Sequence, residues 1–393
     1  MINSPFVPTD ILLPKGGFEK WACIACDQFT SEPEYWLDAE RIVGEAPSAL
    51  KCILPEVWLG GDDRKRISEI DRTMSDYLDS DVFAEYPDSM VYVERTLPDG
   101  RIRRGVVGAV DLEEYDYTAG SKSAVRATEA TVLSRIPPRV AIRRGAPVEL
   151  PHIMLLCNDP NGTVIEKIDP AAQGLELLYD FDLMLGGGHI KGWRLTGEDA
   201  MRVSRAICAL DCTGGAPLIC VGDGNHSLAT ARECYLQNPT PRNRYAAAEL
   251  VNIYDSALDF EPIYRVVFNC DPDELIKTMI GTIPRGETEI RWFTRTGGGN
   301  FTIDGLPADA LQRVIDDYVA AHPRSSCDYV HDEASATSLA KNSDGAVAFL
   351  FGGLDKSGLF PYVTKFGSLP RKTFSMGEAR SKRYYIEARK IDN

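Results

Sequence analysis

The sequence is short of positive charge. Its 43 Lys and Arg residues face 58 Asp and Glu residues, which gives a formal net charge of −15 at pH 7. Because nucleic-acid phosphates attract basic surfaces, this balance argues against a nucleic-acid partner. Apolar runs are also short, and none approaches the roughly 18 residues that a membrane-spanning helix needs, so we expect no membrane partner.

Cysteine and histidine are both scarce, with 10 and 5 residues in a chain of 393. The cysteines are too sparse for a disulfide scaffold and the first residues do not resemble a signal peptide, so we expect a cytoplasmic protein. Cys23 and Cys26 form a CxxC pair that could be half of a zinc site with Cys208 and Cys212. Small buried thiols are the alternative, because two CxxC pairs are the strong zinc signature.

The composition that remains is that of an ordinary globular protein, with 44% hydrophobic and 26% charged residues. The length allows two or three domains, but no clear linker separates them. We predict an α/β fold of the α+β type with a mixed sheet, in three interwoven regions. These are an N-terminal region at 1–118 with a hairpin at 90–110, a central phosphate-binding region at 119–270, and a C-terminal region with a basic tail at 271–393.

Residues 216–231, with the sequence APLICVGDGNHSLATA, are the stretch around which we organise the chain. The apolar run at 218–221 predicts a buried strand, residues 222–225 predict a turn, and a helix pattern follows as far as Pro239. Glycines allow a close approach of the backbone, and the first N–H groups of a helix attract anions. The stretch therefore predicts an anion-binding turn, with a plain structural turn as the alternative.

The turn and the start of the helix contain four polar residues within five positions, at 223–227. Asp223 supplies an acid and His226 an imidazole, and both groups suit proton transfer in catalysis. A carboxylate also suits Mg²⁺. We therefore name Asp223 and His226 as candidate catalytic residues, and Gly224, Asn225 and Ser227 as candidate phosphate-binding residues.

Residues 223–231 resemble the Asp-Gly-His-His-Arg-(aromatic)-x-Thr-Ala signature of domain-of-unknown-function family 1015. Residues 21–27 and 369–379 also resemble this family, so the resemblance covers most of the chain. The signature is similar in turn to the phosphate-contacting motif of the ParB/sulfiredoxin-like group, which includes free-serine kinases. The resemblance implies a ParB/sulfiredoxin-like core that is elaborated by N- and C-terminal α/β segments.

Three residues depart from the family pattern. Asn225 stands where the signature has its first His, and Ser227 stands where it has Arg. Because that Arg is the usual phosphate ligand, its role does not transfer to Ser227. Residues 262–265 resemble the family's Pro-Thr-His-Arg segment, with Tyr264 in place of the His and Arg265 kept.

Two basic segments interrupt the acidic chain. In the first, Arg126, Glu129 and Thr131 resemble the family's Arg/His-Glu-x-Thr pattern, and Glu129 joins the candidate catalytic residues as acid, base or Mg²⁺ ligand. The basic residues of this first segment, residues 121–145, are Lys122, Arg126, Arg135, Arg139, Arg143 and Arg144. The second, residues 365–390, contains Lys365, Arg371, Lys372, Arg380, Lys382, Arg383, Arg389 and Lys390.

Concentrated positive charge on an acidic protein favours the focusing of one anion. The planar guanidinium of arginine also suits bidentate contact with phosphate. We predict that both segments converge over the turn at 222–225 and hold a small anionic ligand through Arg126, Arg139, Arg265, Lys372, Lys382 and Arg383. The alternatives are a solvated loop for the first segment and salt bridges to the acidic body for the second.

Local patterns predict several further elements. Pro-Asp-Gly and Asn-Gly sequences predict hairpins at 97–100 and 158–162, and apolar spacing predicts helices at 67–78 and 245–251. The glycine run at 186–188 indicates either an active-site flap with His189 at its tip or a plain turn. His152 is interpreted as a half-buried structural histidine.

These observations lead to a hypothesis of phosphoryl transfer on a small hydroxy-amino acid resembling serine or phosphoserine, with ATP or ADP and Mg²⁺ as cofactors. Phosphoryl transfer depends mainly on positioning and positive charge, which the turn and the basic segments would supply. A non-catalytic nucleotide-sensing, ParB-like adaptor is a second hypothesis, and a phosphatase that acts without a nucleotide is a third. The sequence does not indicate which oligomeric state the protein adopts.

Overall fold

The computed structural model describes residues 4–60, 63–118, 120–133 and 136–392. The chain divides into two compact units. The first unit contains Met1–Leu258, Val363–Gly367 and Glu378–Asn393, and the second contains Asp259–Tyr362 and Ser368–Gly377.

The helices of the described residues are α1 (Phe18–Trp21), α2 (Pro33–Val43), α3 (Asp63–Asp79), α4 (Ile136–Arg144), α5 (Pro170–Gln173), α6 (Gly197–Cys208), α7 (Asn225–Gln237), α8 (Pro272–Thr282), α9 (Pro307–Ala321), α10 (Glu333–Asn342) and α11 (Leu359–Phe366). None of these helices is long and apolar enough to cross a membrane.

The strands of the first half of the described chain are β1 (Phe6–Val7), β2 (Thr9–Pro14), β3 (Cys23–Ile24), β4 (Phe83–Thr96), β5 (Ile102–Asp111), β6 (Tyr115–Asp116), β7 (Val125–Ala127), β8 (Val148–Glu149), β9 (Met154–Cys157), β10 (Leu177–Asp182) and β11 (His189–Thr196). Those of the second half are β12 (Ile219–Asp223), β13 (Tyr245–Asn252), β14 (Phe260–Pro262), β15 (Tyr264–Phe268), β16 (Thr288–Thr294), β17 (Gly298–Ile303), β18 (Ser326–Val330), β19 (Val347–Phe351), β20 (Phe374–Met376), β21 (Tyr384–Tyr385) and β22 (Arg389–Lys390).

A large mixed sheet forms the centre of the first unit. Its strand order is β10-β11-β4-β5-β13-β9-β12-β7-β6, with β1 on β5 and β2 on β4. The pairs β13–β9 and β12–β7 are parallel, whereas β12–β9 is antiparallel. Ile219, Cys220 and Val221 of β12 are completely buried, as expected for a strand in the interior of a sheet. The predicted α/β fold with a mixed sheet is thus confirmed.

The second unit is built on an antiparallel sheet of order β17-β16-β19-β15-β18. Helices α8 and α9 bury their apolar faces against this sheet, through Met279 and Leu311 among others, with Val267 and Phe349 on the strand side. Strands β14 and β20 form a separate two-stranded pair.

Most of the local predictions agree with these elements. The strand and the helix that flank the turn at 222–225 are β12 and α7, the helix at 67–78 is α3, and the hairpin at 97–100 joins β4 to β5. The glycine run at 186–188 joins β10 to β11, which pair as a hairpin. His189 begins β11, with its ring nitrogens 2.6 Å from Asp182 and 2.7 Å from Asp180.

Two local predictions are wrong. Residues 245–251 belong to β13 rather than to a helix, because this strand is inserted between β5 and β9 and buried on both faces. Tertiary pairing there overrides the helix propensity of the alanine run. Residues 158–162 do not join a hairpin, because β9 pairs with β12 and β13 instead. Asp159 closes this loop by accepting hydrogen bonds from the backbone amides of Thr163 and Val164.

The CxxC pair lies among apolar residues. Cys23 is buried, and burial raises the pKa of the Cys26 thiol to about 12. Across the residues that the structure describes, no three or more His, Cys, Asp or Glu side chains are grouped so that they could hold a metal ion. The arrangement therefore favours the interpretation of small buried thiols over a zinc site with Cys208 and Cys212.

Candidate functional site

The predicted turn links β12 to α7 through Gly224. This glycine has a φ of 80°, and a Cβ atom at its position would lie 3.1 Å from the Cα of Ile153. The left-handed conformation and the close approach both favour glycine. Gly224 is the N-cap residue of α7 and has no side chain that could accept a hydrogen bond from the first turn. The positive end of the helix dipole is directed at the turn.

Replacement of Gly224 by Ala is expected to lower the free energy of unfolding by about 1–3 kcal/mol, because a strained φ and a tight contact add. Gly214 is the matched control, since it has a φ of 67° but no atom within 4 Å of a built Cβ. Urea denaturation of both Ala variants provides the measurement. If both variants lost the same free energy of unfolding, the close contact between residue 224 and Ile153 would not contribute to the effect.

Asp223 forms an ion pair at the end of β12. Its Oδ1 accepts a hydrogen bond of 2.9 Å from the amide of Gly224, and its Oδ2 lies 3.0 Å from the Nζ of Lys382. The Lys382 side chain is only 10% exposed. Burial alone would raise the pKa of Asp223, but the charge and hydrogen bond of Lys382 outweigh it, and the pKa is lowered. The carboxylate is therefore charged at neutral pH.

Buried arginines hold the backbone on either side of Lys382. Arg95 of β4 donates to the carbonyl of Arg380 at 3.1 Å, and Arg103 of β5 donates to that of Ser381 at 2.8 Å. Arg383 donates to the carbonyl of Pro151 at 3.1 Å. The second basic segment is thereby fixed to the sheet so that Lys382 meets Asp223. Sequence reasoning missed Arg95 and Arg103, because the residues whose carbonyls they bind are 285 and 278 positions away in the chain.

A second group of polar side chains lies beside the turn. The Oγ of Ser227 is 3.0 Å from the Nε2 of His152, whose Nδ1 is 2.8 Å from the Oη of Tyr385. A cavity of about 160 Å³ adjoins this chain of hydrogen bonds, and its wall includes Cys26, Met74, Arg139, Leu150 and Thr230. The structure thus gives His152 specific partners that its sequence context does not reveal.

His226 and Glu129 also lie near the end of β12. The Nε2 of His226 accepts a hydrogen bond of 3.2 Å from the amide of Val132, which places the ring proton on Nδ1. Strand β7 runs parallel to β12 and ends just before Glu129, and the hydroxyl of Thr128 donates to the carbonyl of Val221 at 2.6 Å. Glu129 therefore lies at the same sheet edge as Asp223.

Three of the arginines that were predicted to bind phosphate have other partners. Arg126 donates to the carbonyls of Ser123 and Gly215, at the opposite end of β12 from Asp223. Arg139 pairs with Glu56 at the cavity wall, and Arg383 pairs with two buried carboxylates, those of Glu249 and Glu387. The long guanidinium side chains reach acceptors that their positions in the sequence do not indicate.

Arg265 and Lys372 belong to the second unit, where they contact one another. Arg265 is completely buried, and its guanidinium donates to the backbone carbonyl of Lys372 at 2.9 Å and to the side chain of Gln312 at 2.8 Å. The same guanidinium lies 4.9 Å from the ring centre of Tyr329. These contacts give Arg265 a packing role inside this unit.

Ion pairs neutralise some of the basic residues in each segment. Arg143 and Arg389 share Glu149 at 2.5 and 2.8 Å, and Lys390 lies 2.7 Å from Glu85. Arg135 lies outside the described residues. Salt bridging to the acidic body, which was the alternative interpretation of the second segment, therefore describes Arg383, Arg389 and Lys390. Lys382 is the member of that segment that reaches the turn.

The fold and the turn define a mixed α/β protein with a polar site at the carboxyl end of an interior strand. The family described as a protein of unknown function (DUF1015) matches residues 8–341, and the chain belongs to this family. The resemblance to family 1015 is thereby confirmed. A search of curated proteins finds no match.

A search of solved structures finds chains that are similar to this one at low sequence identity. A free serine kinase in complex with ADP is 10% identical, covers 73% of this chain and 92% of its own, and has a TM-score of 0.42. A free serine kinase in complex with AMP is 12% identical, with coverages of 71% and 90% and a TM-score of 0.40. A conserved hypothetical protein from Pyrococcus furiosus is 10% identical, with coverages of 71% and 90% and a TM-score of 0.37.

Proposed function

We propose that this protein binds a small phosphorylated ligand at the N-terminus of α7 and transfers a phosphoryl group to or from a small hydroxy-amino acid such as serine. The observation that carries the proposal is that Lys382 reaches Asp223 directly before the N-terminus of α7, where the N-cap residue is glycine. An ammonium group and a helix N-terminus both attract phosphate oxygens.

The pairing of Lys382 with Asp223 suits each side chain to one role in phosphoryl transfer. Lys382 is oriented in the free protein and can share its charge with an incoming phosphate, which is the stabilisation that phosphoryl transfer chiefly needs. Asp223 is ionised because Lys382 lowers its pKa, so it can accept the proton of a substrate hydroxyl. Glu129 and His226, at the same edge, are further candidates for proton transfer.

A nucleotide, ATP or ADP, is the phosphoryl donor in this proposal. The described residues do not fit a protein-bound Mg²⁺ at Asp223, because they contain no group of three or more His, Cys, Asp or Glu side chains that could hold a metal ion, and because the Lys382 ammonium lies 3.0 Å from this carboxylate. We therefore derive no step through a metal held by the protein. Mg²⁺ enters only as the usual companion of nucleotide phosphates.

A nucleotide-binding adaptor without catalysis is the second candidate function. Two observations favour it: Ser227 stands in place of the family's arginine, and Arg126 and Arg383 are engaged by acceptors within the protein. Such a protein would bind the same ligands without turning them over. A coupled assay for phosphoserine formation, and a phosphate-release assay with phosphoserine, separate the two candidates.

Replacement of Lys382 by Met is expected to weaken ligand binding by about 10- to 100-fold, the range for a lost hydrogen bond to a charged group. Isothermal titration calorimetry with ATP, ADP, phosphoserine and serine, each with Mg²⁺, provides the measurement. Lys382→Arg keeps the charge and should retain more affinity. Lys390→Met is the matched control, because Lys390 belongs to the same segment but pairs with Glu85. Undiminished affinity in folded Lys382→Met, or no binding by the wild type, would refute the proposal.

A further inference from the structure

The chain of Ser227, His152 and Tyr385 has the geometry of a nucleophile, a base and a group that orients the base. Ser227 Oγ and His152 Nε2 are 3.0 Å apart, and His152 Nδ1 and Tyr385 Oη are 2.8 Å apart. These distances fall within the range that activates a hydroxyl nucleophile. The residues come from three separate places, the first turn of α7, the loop before β9, and β21.

Tyr385 contacts the Nδ1 side of the His152 ring. The Oη of Tyr385 accepts a hydrogen bond of 3.3 Å from the amide of Cys26 and lies 2.8 Å from His152 Nδ1. When Oη accepts a second hydrogen bond, from Nδ1–H, the lone pair of Nε2 faces Ser227, as a base must. We assign this tautomer to the reactive form of His152.

The position of this group suits phosphate chemistry. Ser227 lies in the first turn of α7, whose N-terminus attracts anions, and it faces the 160 Å³ cavity together with His152 and Tyr385. Asp223 also lies close to His152 along the sheet, because it pairs with Met154, two residues after His152, in the register of β12 and β9.

We propose that Ser227 is a covalent nucleophile that carries the transferred phosphoryl group, with His152 as its base and Tyr385 as a positioning residue. This inference rests on the function proposed above and adds a reaction intermediate to it. In the first step Ser227 Oγ attacks the terminal phosphorus of a nucleoside di- or triphosphate. The Oγ–P bond forms, the bond to the leaving phosphate breaks with its electron pair on that phosphate, and the Ser227 proton passes to Nε2.

In the second step the hydroxyl of the amino acid attacks the same phosphorus. Its O–P bond forms, the Oγ–P bond breaks, and Oγ regains its proton from His152. Asp223 accepts the proton of the substrate hydroxyl and later releases it to solvent. One proton is released in the whole reaction, as phosphorylation of an alcohol by a nucleotide requires.

The test is to incubate the wild-type protein with ATP or ADP and Mg²⁺ in the absence of serine, quench in acid, and locate phosphate by peptide mass spectrometry. We expect phosphate on Ser227 and its loss when serine is added. We also expect label exchange between the nucleotide and its product without serine. Thr230 is an internal control, because it borders the same cavity but donates to the carbonyl of His226 and should stay unmodified.

Variants of the three residues complete the test. Ser227→Ala should abolish labelling, His152→Gln should slow it by roughly 100-fold or more, and Tyr385→Phe should slow it without changing nucleotide affinity. An unlabelled Ser227 in a protein that binds nucleotide and phosphorylates serine overturns the intermediate and leaves the proposed function standing. A folded Ser227→Ala variant that transfers the phosphoryl group at the wild-type rate also overturns the intermediate and leaves the proposed function standing. Failure of the wild type to bind any nucleotide or phosphoserine overturns both.

Discussion

Replacement of Asp223 by Asn is expected to lower the rate of phosphoryl transfer at least 100-fold, the lower bound for loss of a positioned proton acceptor. The amide oxygen can still accept the hydrogen bond from Gly224, so the turn keeps its shape. The variant loses the negative charge that faces Lys382 at 3.0 Å and that lies near His152. Steady-state rates with serine and nucleotide, on protein whose fold is checked by circular dichroism, provide the measurement.

Asp99→Asn is a matched control for this substitution. Asp99 also lies in a tight turn, accepts a backbone hydrogen bond of 2.9 Å from Arg101, and pairs with the Arg101 side chain at 2.7 Å. Its turn is the tip of the β4–β5 hairpin, for which we propose no chemistry. A fully active Asp223→Asn protein would remove Asp223 from the candidate catalytic residues, whatever the control shows.

The turn itself could be predicted from the sequence because every signal for it is local. The apolar run of β12, the glycine at 224 and the helix pattern of α7 follow one another within about twenty residues. Each acts through backbone conformation or through burial of neighbouring side chains. The same local reasoning was wrong for β13, whose alanines pair inside the sheet with strands that are distant in sequence.

The partners of the turn could not be predicted from the sequence. His152 and Tyr385 are 233 positions apart, and Ser227 is 75 positions from His152. Arg126 and Arg383 lie in basic segments and have the guanidinium group that is typical of phosphate ligands. In the structure, however, Arg126 donates to a backbone carbonyl and Arg383 pairs with a buried carboxylate. The direction of a long side chain depends on which acceptors the fold brings near, and this information is tertiary.

Replacement of Glu249 by Gln is expected to lower the free energy of unfolding by about 3–5 kcal/mol, the usual cost of removing one member of a buried ion pair. Glu249 lies 2.5 Å from Arg383 and 4.0 Å from Arg103, and all three side chains are almost fully buried. Without its charge, two guanidinium groups lose a counterion in the interior. Glu333→Gln is the matched control, because its pair with Arg291 is about half exposed and should be worth at most about 1 kcal/mol.

The pH dependence of this effect has a definite sign. Burial alone would raise the pKa of Glu249, but the charges of Arg383 and Arg103 outweigh it and hold the pKa below its ordinary value of 4.5. A carboxyl whose folded pKa is lowered stabilises the protein above its unfolded pKa, and it loses that contribution as the pH falls. The difference between wild type and Glu249→Gln should therefore be largest near pH 7 and shrink below about pH 4.5. Urea denaturation at both ends of this range is the measurement, and a difference that grows in acid would contradict the assignment of Arg383 to this buried pair.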